Sequence, residues 1–292
     1  MSTSILQTGN ELEPLQLANG KQFSFDHPLV MGIINITPDS FYDGGKYVSA
    51  EDAIEKVEKL LLEGADIIDL GAASTRPGAE LISCEDELKR ILPVLDAIIT
   101  KHPHAIVSID TFHSEVAAEC MRHGAAIIND ISGGTLDERM HSIVAKLKVP
   151  YIIMHMQGTP QNMQIEPAYN NVVNEVYDFL NNRVTAARTA GIKQIIIDPG
   201  FGFGKTVEHN YLLLRNLSKF KELSLPVLSG VSRKSMINKV LNTKPENALT
   251  GTIALNTLAI LQGANILRVH DVKEAKQVIK MVNQFLHPDT QV

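Results

Sequence analysis

The chain has 292 residues, 44% hydrophobic and 21% charged, with a formal net charge of -6. That composition excludes an intrinsically disordered chain, and the acidic balance gives no support for a nucleic-acid partner. No apolar run approaches the ~18 residues of a membrane span, and the N-terminus lacks the basic start and apolar core of a signal peptide.

The first residues (1–27) contain Leu15, Leu17, Phe23 and Phe25 and are expected to form a hairpin or cap ahead of a single domain at 28–287. From there, short runs rich in Ile and Val alternate with longer segments of helical period. The strand candidates, in order, are "LVMGIINIT", "DIIDLGA", "AIVSIDT", "AAIINDIS", "PYIIMHMQG", "QIIIDPG", "PVLSGVS" and "NILRVHDV". Segments such as "AEDAIEKVEKLLLEGA" and "SEVAAECMRHGA" lie between them, with apolar spacings of three and four that suit helices packed on a sheet. Several of these end at a glycine (Gly64, Gly124, Gly263) placed as a C-cap. Cys84 and Cys120 fall in helix-like segments without metal-type spacing, which suggests a reduced cytoplasmic compartment.

Strand, helix, strand repeated eight times over roughly 265 residues has the count and length of an α/β (β/α)8 TIM barrel. A doubly wound open sheet is the competing reading. Period two puts Ile33 with Asn35, Ile67 with Asp69, Ser108 with Asp110, Ile127 with Asn129, Ile196 with Asp198 and Arg268 with His270 on shared faces. In a barrel, polar residues at the ends of the strands would gather around one mouth. Each alone could be a turn or helix-cap residue. Six together point to a polar pocket, because ionisable groups beside an apolar interior are costly unless something pairs with them.

The loops after the first two strands, "NITPDSFYDGGKY" and "GAASTRPGAELIS", exceed the ~2–6 residues of ordinary βα turns and suit lids or binding loops. Ser74, Thr75 and Arg76 could donate to phosphate oxygens, or Arg76 could simply be solvated. "IIIDPGFGFGKTVEHN" resembles a phosphate loop but fails both nucleotide templates. Gly200 leaves only three residues before Gly204-Lys205 where a P-loop needs four, and Lys205 stands where a dinucleotide fingerprint needs glycine. Lys205 is left as a residue at the start of a helix. In "GVSRKSM", Ser232 to Ser235 lie where a helix should begin, and Lys234 could reach toward Asp198 or Asp110. Arg268 demands an anionic partner, either a ligand or Asp271 or Asp110.

Together, "GIINITPDSFYDGG", "DLGAASTRPGA", "SIDT", "NDISG", "MHMQGTPQNMQ", "IIIDPGFGFGKT", "GVSRKSM" and "RVHDV" resemble the dihydropteroate synthase family of folate biosynthesis. The resemblance spans about residues 29 to 275. It implies a sulfonamide-targeted transferase that joins 6-hydroxymethyl-7,8-dihydropterin diphosphate to 4-aminobenzoate, releasing diphosphate and 7,8-dihydropteroate. It places Asp110, Asn129, Ile131, Met154, Asp198 and Lys234 around the pterin. Asn35, Thr75, Arg76, Arg268 and His270 would meet the diphosphate, with Asn35 a Mg²⁺ ligand. Thr75, Pro77, Phe203, Lys234 and Ser235 would border the aminobenzoate. Asp110, Lys234, Arg268 and His270 are the expected catalytic set.

The family mechanism is described as dissociative, and the residues are compatible with it. A homodimer is expected, with no nucleic-acid or membrane partner. Ala72 and Ala73 stand where the family commonly has Gly-Glu, which puts any role for that glutamate in doubt. Two alternatives are a pterin-binding methyltransferase barrel and a non-catalytic homologue. Both would be expected to lack the diphosphate residues that this chain retains.

Overall fold

The structure, a computed structural model, describes residues 12–17, 20–36, 50–72 and 82–289. A two-stranded antiparallel hairpin, β1 (Leu15–Gln16) and β2 (Gln22–Phe23), precedes the main sheet. The eight strands of that sheet are β3 (Leu29–Asn35), β4 (Ile67–Gly71), β5 (Val107–Asp110), β6 (Ile127–Asp130), β7 (Tyr151–Met154), β8 (Ile195–Asp198), β9 (Leu228–Ser229) and β10 (Ile266–Val269). Every pair is parallel, in the order β8-β7-β6-β5-β4-β3-β10-β9. A further parallel bridge, Ile197 to Val227, brings the two edges together and closes the ring. The competing open sheet is thereby set aside.

Alternation along the strands explains the two cores. Outward residues such as Ile68, Leu70, Ile109, Ile153 and Leu267 pack beneath the surrounding helices. Inward residues at the lower end (Met31, Ile67, Ile127, Ile152, Ile196 and Ile266) meet Leu15 and Leu17 of the hairpin, which plugs that end of the barrel. The polar residues at the C-terminal ends of the barrel strands therefore gather at the opposite mouth.

The helices are α1 (Ala50–Leu62), α2 (Cys84–Lys101), α3 (Ser114–Arg122), α4 (Met140–Leu147), α5 (Val172–Thr189), α6 (Val207–Arg215), α7 (Ser235–Leu241), α8 (Leu249–Leu261) and α9 (Val272–Leu286). Gly64, Gly124 and Gly263 have φ of 98°, 96° and 98°, the left-handed conformation that ends a helix at little cost only with glycine. Cys84 opens α2 and Cys120 lies buried in α3, both as free thiols.

Candidate active site

The mouth is built on one row of strand register. Asn35 pairs with Gly71, Gly71 with Asp110, and Asp110 with Asn129, across four adjacent strands. Asn35, Asp110 and Asp198 end their strands, as expected from the sequence. Asp69 instead lies in the middle of β4, Asn129 and Arg268 are penultimate, and His270 stands one residue beyond β10. The stagger of strands in a barrel brings residues to one height at different distances from their strand ends.

Arg268 is the hub. Its Nε donates to Asp69 Oδ2 at 2.6 Å and its Nη2 to Asp110 Oδ2 at 2.7 Å. Asn129 Nδ2 donates to the same Asp69 oxygen at 3.1 Å. Of the two partners considered from sequence, Asp110 is the one used; Asp271 is taken by Arg233. Asp69, completely buried, is the member to which sequence reasoning gave no role. The signal was present in its shared face with Ile67. What was missing was the position of Arg268 across the barrel.

Lys234 caps α7, and Ser235 is the first residue of that helix. Lys234 does not reach Asp198 or Asp110 by hydrogen bond; its Nζ donates to Phe201 O and lies 4.8 Å from the Phe203 ring centroid. Phe203 packs beside a small apolar cluster of Ile131, Met154, Phe112, Met156 and Met163, the last three unassigned by the sequence. Met154 is paired in register with Asp198, so this apolar cluster adjoins the polar row. Thr75, Arg76 and Pro77, with Ser74, lie outside the described residues, as does Ala73.

The glycine-rich loop after β8 is laced by side chains. Gly200 O and Phe203 O each accept from Lys205 Nζ at 2.9 Å, and Gly202 O accepts from Gln164 Nε2 at 2.6 Å. Phe201 O takes Lys234, and Gly204 O takes the Tyr169 hydroxyl at 2.7 Å. Its N–H groups are used too: Gly200 N donates to Asp198 Oδ1 and Gly202 N to Asn210 Oδ1, both at 2.7 Å. Amides committed in this way do not form a phosphate nest. A Cβ on Gly200 would lie 1.9 Å from His155 O, and that residue's φ is 71°, so only glycine fits. Lys205 does stand at the start of α6, immediately before its N-cap, but its side chain turns back into the loop. It is buried ahead of Thr206, the true N-cap of α6, because its ammonium is needed inside the loop.

Burial raises Asp110 to about 7, with Arg268 opposing and Asp69 and Asp130 adding to the rise. Asp198 is likewise raised by burial, against the pull of Lys234. Lys234 is lowered to about 8 by burial, with Asp198 opposing. Arg268 is raised: its burial works against the charge, but Asp69 and Asp110 outweigh it. His270 is an exposed residue whose Nδ1 lies 3.0 Å from Ser232 Oγ. Desolvation at the mouth, then Arg268 and Arg233, bring His270 down to about 4, so it is neutral at pH 7. Two cations, Arg268 and Lys234, with the carboxyls of Asp69, Asp110 and Asp198 at one barrel mouth suit a substrate that brings both a donor edge and negative charge.

Comparison with known proteins agrees with this chemistry. The pterin binding enzyme family matches residues 31–270. The dihydropteroate synthase of Escherichia coli is 43% identical over 271 residues, spanning 92% of this chain and 95% of that protein. The chain belongs to the dihydropteroate synthase family. Two solved members of the family superpose closely. The Yersinia pestis dihydropteroate synthase, in a sulfonamide drug complex, has a TM-score of 0.89 at 39% identity, covering 94% of this chain and 99% of that one. The Xanthomonas albilineans dihydropteroate synthase with 4-aminobenzoic acid has a TM-score of 0.88 at 38% identity, covering 96% and 100%. The family places the chain among the transferases, and the methyltransferase and non-catalytic alternatives fall away.

Proposed function

We propose that the barrel mouth condenses 6-hydroxymethyl-7,8-dihydropterin diphosphate with 4-aminobenzoate, giving 7,8-dihydropteroate and diphosphate. The observation that carries this reading is the partly buried Arg268 held between Asp69 and Asp110, beside Asn129, in a mouth that also carries an apolar cluster. The pterin ring lies between that cluster, Ile131 and Met154, and the polar row. Asp198 and Asp110 accept from its aminopyrimidinone N–H groups, and Asn129 reads a mixed donor–acceptor edge. Lys234 bridges the two substrates, while Phe203 and Ser235, with Thr75 and Pro77, border the aminobenzoate. The diphosphate meets Arg268, His270 and Asn35, with Thr75 and Arg76 from the second long loop.

In the reaction the C–O bond to diphosphate breaks and its electron pair leaves with the diphosphate. The aniline nitrogen then forms the new C–N bond and loses a proton. Arg268 stabilises the departing charge, and Asp110 stabilises the pterin cation left behind. His270, at the exposed rim of the mouth, donates a hydrogen bond to the diphosphate.

Mg²⁺ fits beside Asn35. A Cβ on Gly71 would lie 3.7 Å from Asn35 Oδ1 and 3.3 Å from Asp110 Cβ, so this glycine lets a hard amide oxygen and the Asp110 side chain come close together at the mouth, where the amide oxygen would hold the ion. There the ion would add Lewis-acid stabilisation of the leaving diphosphate. The purified protein should form dihydropteroate from the two substrates with Mg²⁺, lose that activity with excess EDTA and regain it with added Mg²⁺. Asn35→Ala should raise the Mg²⁺ concentration for half-maximal rate by about tenfold. No dihydropteroate from the complete mixture sinks the assignment, and full activity without divalent ion removes the metal from it.

The protein works in the cytoplasm as a homodimer. Free Cys84 and Cys120 support the compartment. Among the described residues no helix is long and apolar enough to cross a membrane. Recovery of the enzyme from a periplasmic or membrane fraction would contradict this placement. Ile253, Leu258 and Leu261 of α8 are exposed, with Met281 and Phe285 of α9 near them in sequence order and strongly exposed. Apolar side chains on these two packed helices support a covered face. Sedimentation should give twice the chain mass, and the double change Leu258→Glu, Leu261→Glu should give the single chain. A monomeric wild-type protein at micromolar concentration rules the dimer out.

A further inference from the structure

Lys205 survives from the sequence as a motif residue that the reaction does not use. Its side chain is nevertheless one of the most committed in the molecule. Gly200 O, Phe203 O and His155 Nδ1 all lie 2.9 Å from Nζ, with His155 O at 3.4 Å. Three acceptors at one distance match the three donors of an ammonium group. Burial lowers the Lys205 pKa well below its ordinary value, with Asp198 opposing. The Gly200 and Phe203 carbonyls, which can only accept, favour the charged form, and it is this geometry that assigns the ammonium. His155 is itself pushed down to about 2 by burial and then by Lys205. Its ring is therefore neutral and, with its proton on Nε2, offers Nδ1 as an acceptor.

The two loop carbonyls held by Lys205 flank the Phe201 and Gly202 peptides. Phe201 O, between them, receives the Lys234 ammonium, and a Cβ on Gly202 would touch Lys234 Cδ at 3.2 Å. Phe203, whose carbonyl Lys205 grips, supplies the ring under Lys234. We propose that Lys205 is a positioning residue: its ammonium acts as a fixed internal cation that shapes the arc from Gly200 to Phe203, and so sets Lys234 and Phe203 for the aminobenzoate. The proposal rests on the reading of the mouth as a dihydropteroate synthase site.

The geometry weights the two substrates unequally. Asp110 and Asn129 sit on strands and Asp198 ends β8, so the sheet carries most of the pterin side, and the arc reaches it only through Gly200 N–H on Asp198 and through Lys234. The aminobenzoate side depends on Phe203 and Lys234, and these depend on the arc. Lys205→Met keeps an unbranched apolar stem one atom shorter and deletes the three donors. It should raise the KM for aminobenzoate by about tenfold or more, with kcat also lowered, while the KM for pterin diphosphate stays within about threefold.

Tyr169→Phe removes a different carbonyl donor, the one on Gly204, and serves as the structural control. It should cost thermal stability with an aminobenzoate KM within about threefold of wild type. Lys205→Ala makes room for an external amine, so ethylammonium chloride, but not sodium chloride at the same concentration, should recover part of the lost kcat/KM. If Lys205→Met proves unfolded by circular dichroism, the Lys205→Ala protein refolded in ethylammonium carries the test.

Equal effects on both substrates, an aminobenzoate KM unchanged in a folded variant, or no difference between ethylammonium and sodium overturns the proposal. Failure of the wild-type protein to make dihydropteroate is a separate result, and it overturns the function instead.

Discussion

Arg268→Ala is expected to lower turnover by ~10²-fold or more, because it removes the group aimed at the departing diphosphate. It should also destabilise the fold by about 3–5 kcal/mol at neutral pH, the usual cost of breaking a buried ion pair from one side. The reason lies in the hub: Asp69 has no exposure at all, and Asp110 is also buried. Without the guanidinium both carboxylates lose their cationic partner, and Asp69 keeps only the Asn129 amide.

The sign of the pH effect follows. Asp110 already has a folded pKa of about 7, raised by burial against an ordinary 3.8, and removing Arg268 takes away the term that lowers it. An acid whose folded pKa is raised binds more protons folded than unfolded between those two values. The part of the Arg268→Ala deficit that comes from Asp110 is therefore full above the variant's own, still higher Asp110 pKa, shrinks as pH falls from there to about 7, and is level below that. Arg268→Lys should recover part of the stability, since a charge returns, but little of the turnover, since the two-pronged geometry does not. Urea unfolding at pH 5.5 and pH 8, run beside steady-state kinetics, measures both. A deficit that grows toward acid contradicts the hub as described.

Lys234→Met is expected to have the second large effect, also ~10²-fold or more in turnover, by removing the positive charge shared between the two substrates. Here pH supplies an independent reading. Lys234 is held near 8 by burial, against an ordinary 10.5, so it loses its proton within an accessible range. If the ammonium is the working form, kcat/KM of the wild type falls as pH rises through about 8, and Lys234→Arg removes that alkaline limb.

The stability signature runs the other way. Between about 8 and 10.5 the unfolded chain binds the extra proton, so wild-type stability rises with pH across that window relative to Lys234→Met. An alkaline limb that persists unchanged in Lys234→Arg would assign it to another group.

Much of this architecture was legible in the sequence because hydrophobic period is a local signal. All eight strand segments, the glycine C-caps and the inward faces carrying Asn35, Asp110, Asn129, Asp198 and Arg268 follow from spacings of two, three and four. The height of each residue in the barrel was not legible, because strand stagger is a property of the closed ring. Asp69 was visible as a face and silent as a partner for that reason. Lys205 misled in a different way. A lysine after alternating glycines and just before a helix looks exposed, and only the folded loop reveals carbonyls converging on it. The apolar wall was half visible, with Ile131, Met154 and Phe203 taken from motif resemblance. Phe112, Met156 and Met163 join it through contacts between successive βα loops, which no single segment announces.

The central claim is that this polar row and apolar wall hold the pterin, with the diphosphate at Arg268. A crystal structure of the protein with 6-hydroxymethylpterin diphosphate and Mg²⁺ tests it most directly. The account predicts the ring between Met154 and Ile131, its aminopyrimidinone edge on Asp198, Asp110 and Asn129, and the diphosphate against Arg268, His270 and Asn35. A ring bound elsewhere, or a diphosphate directed away from Arg268 and toward the glycine loop after β8, would contradict it.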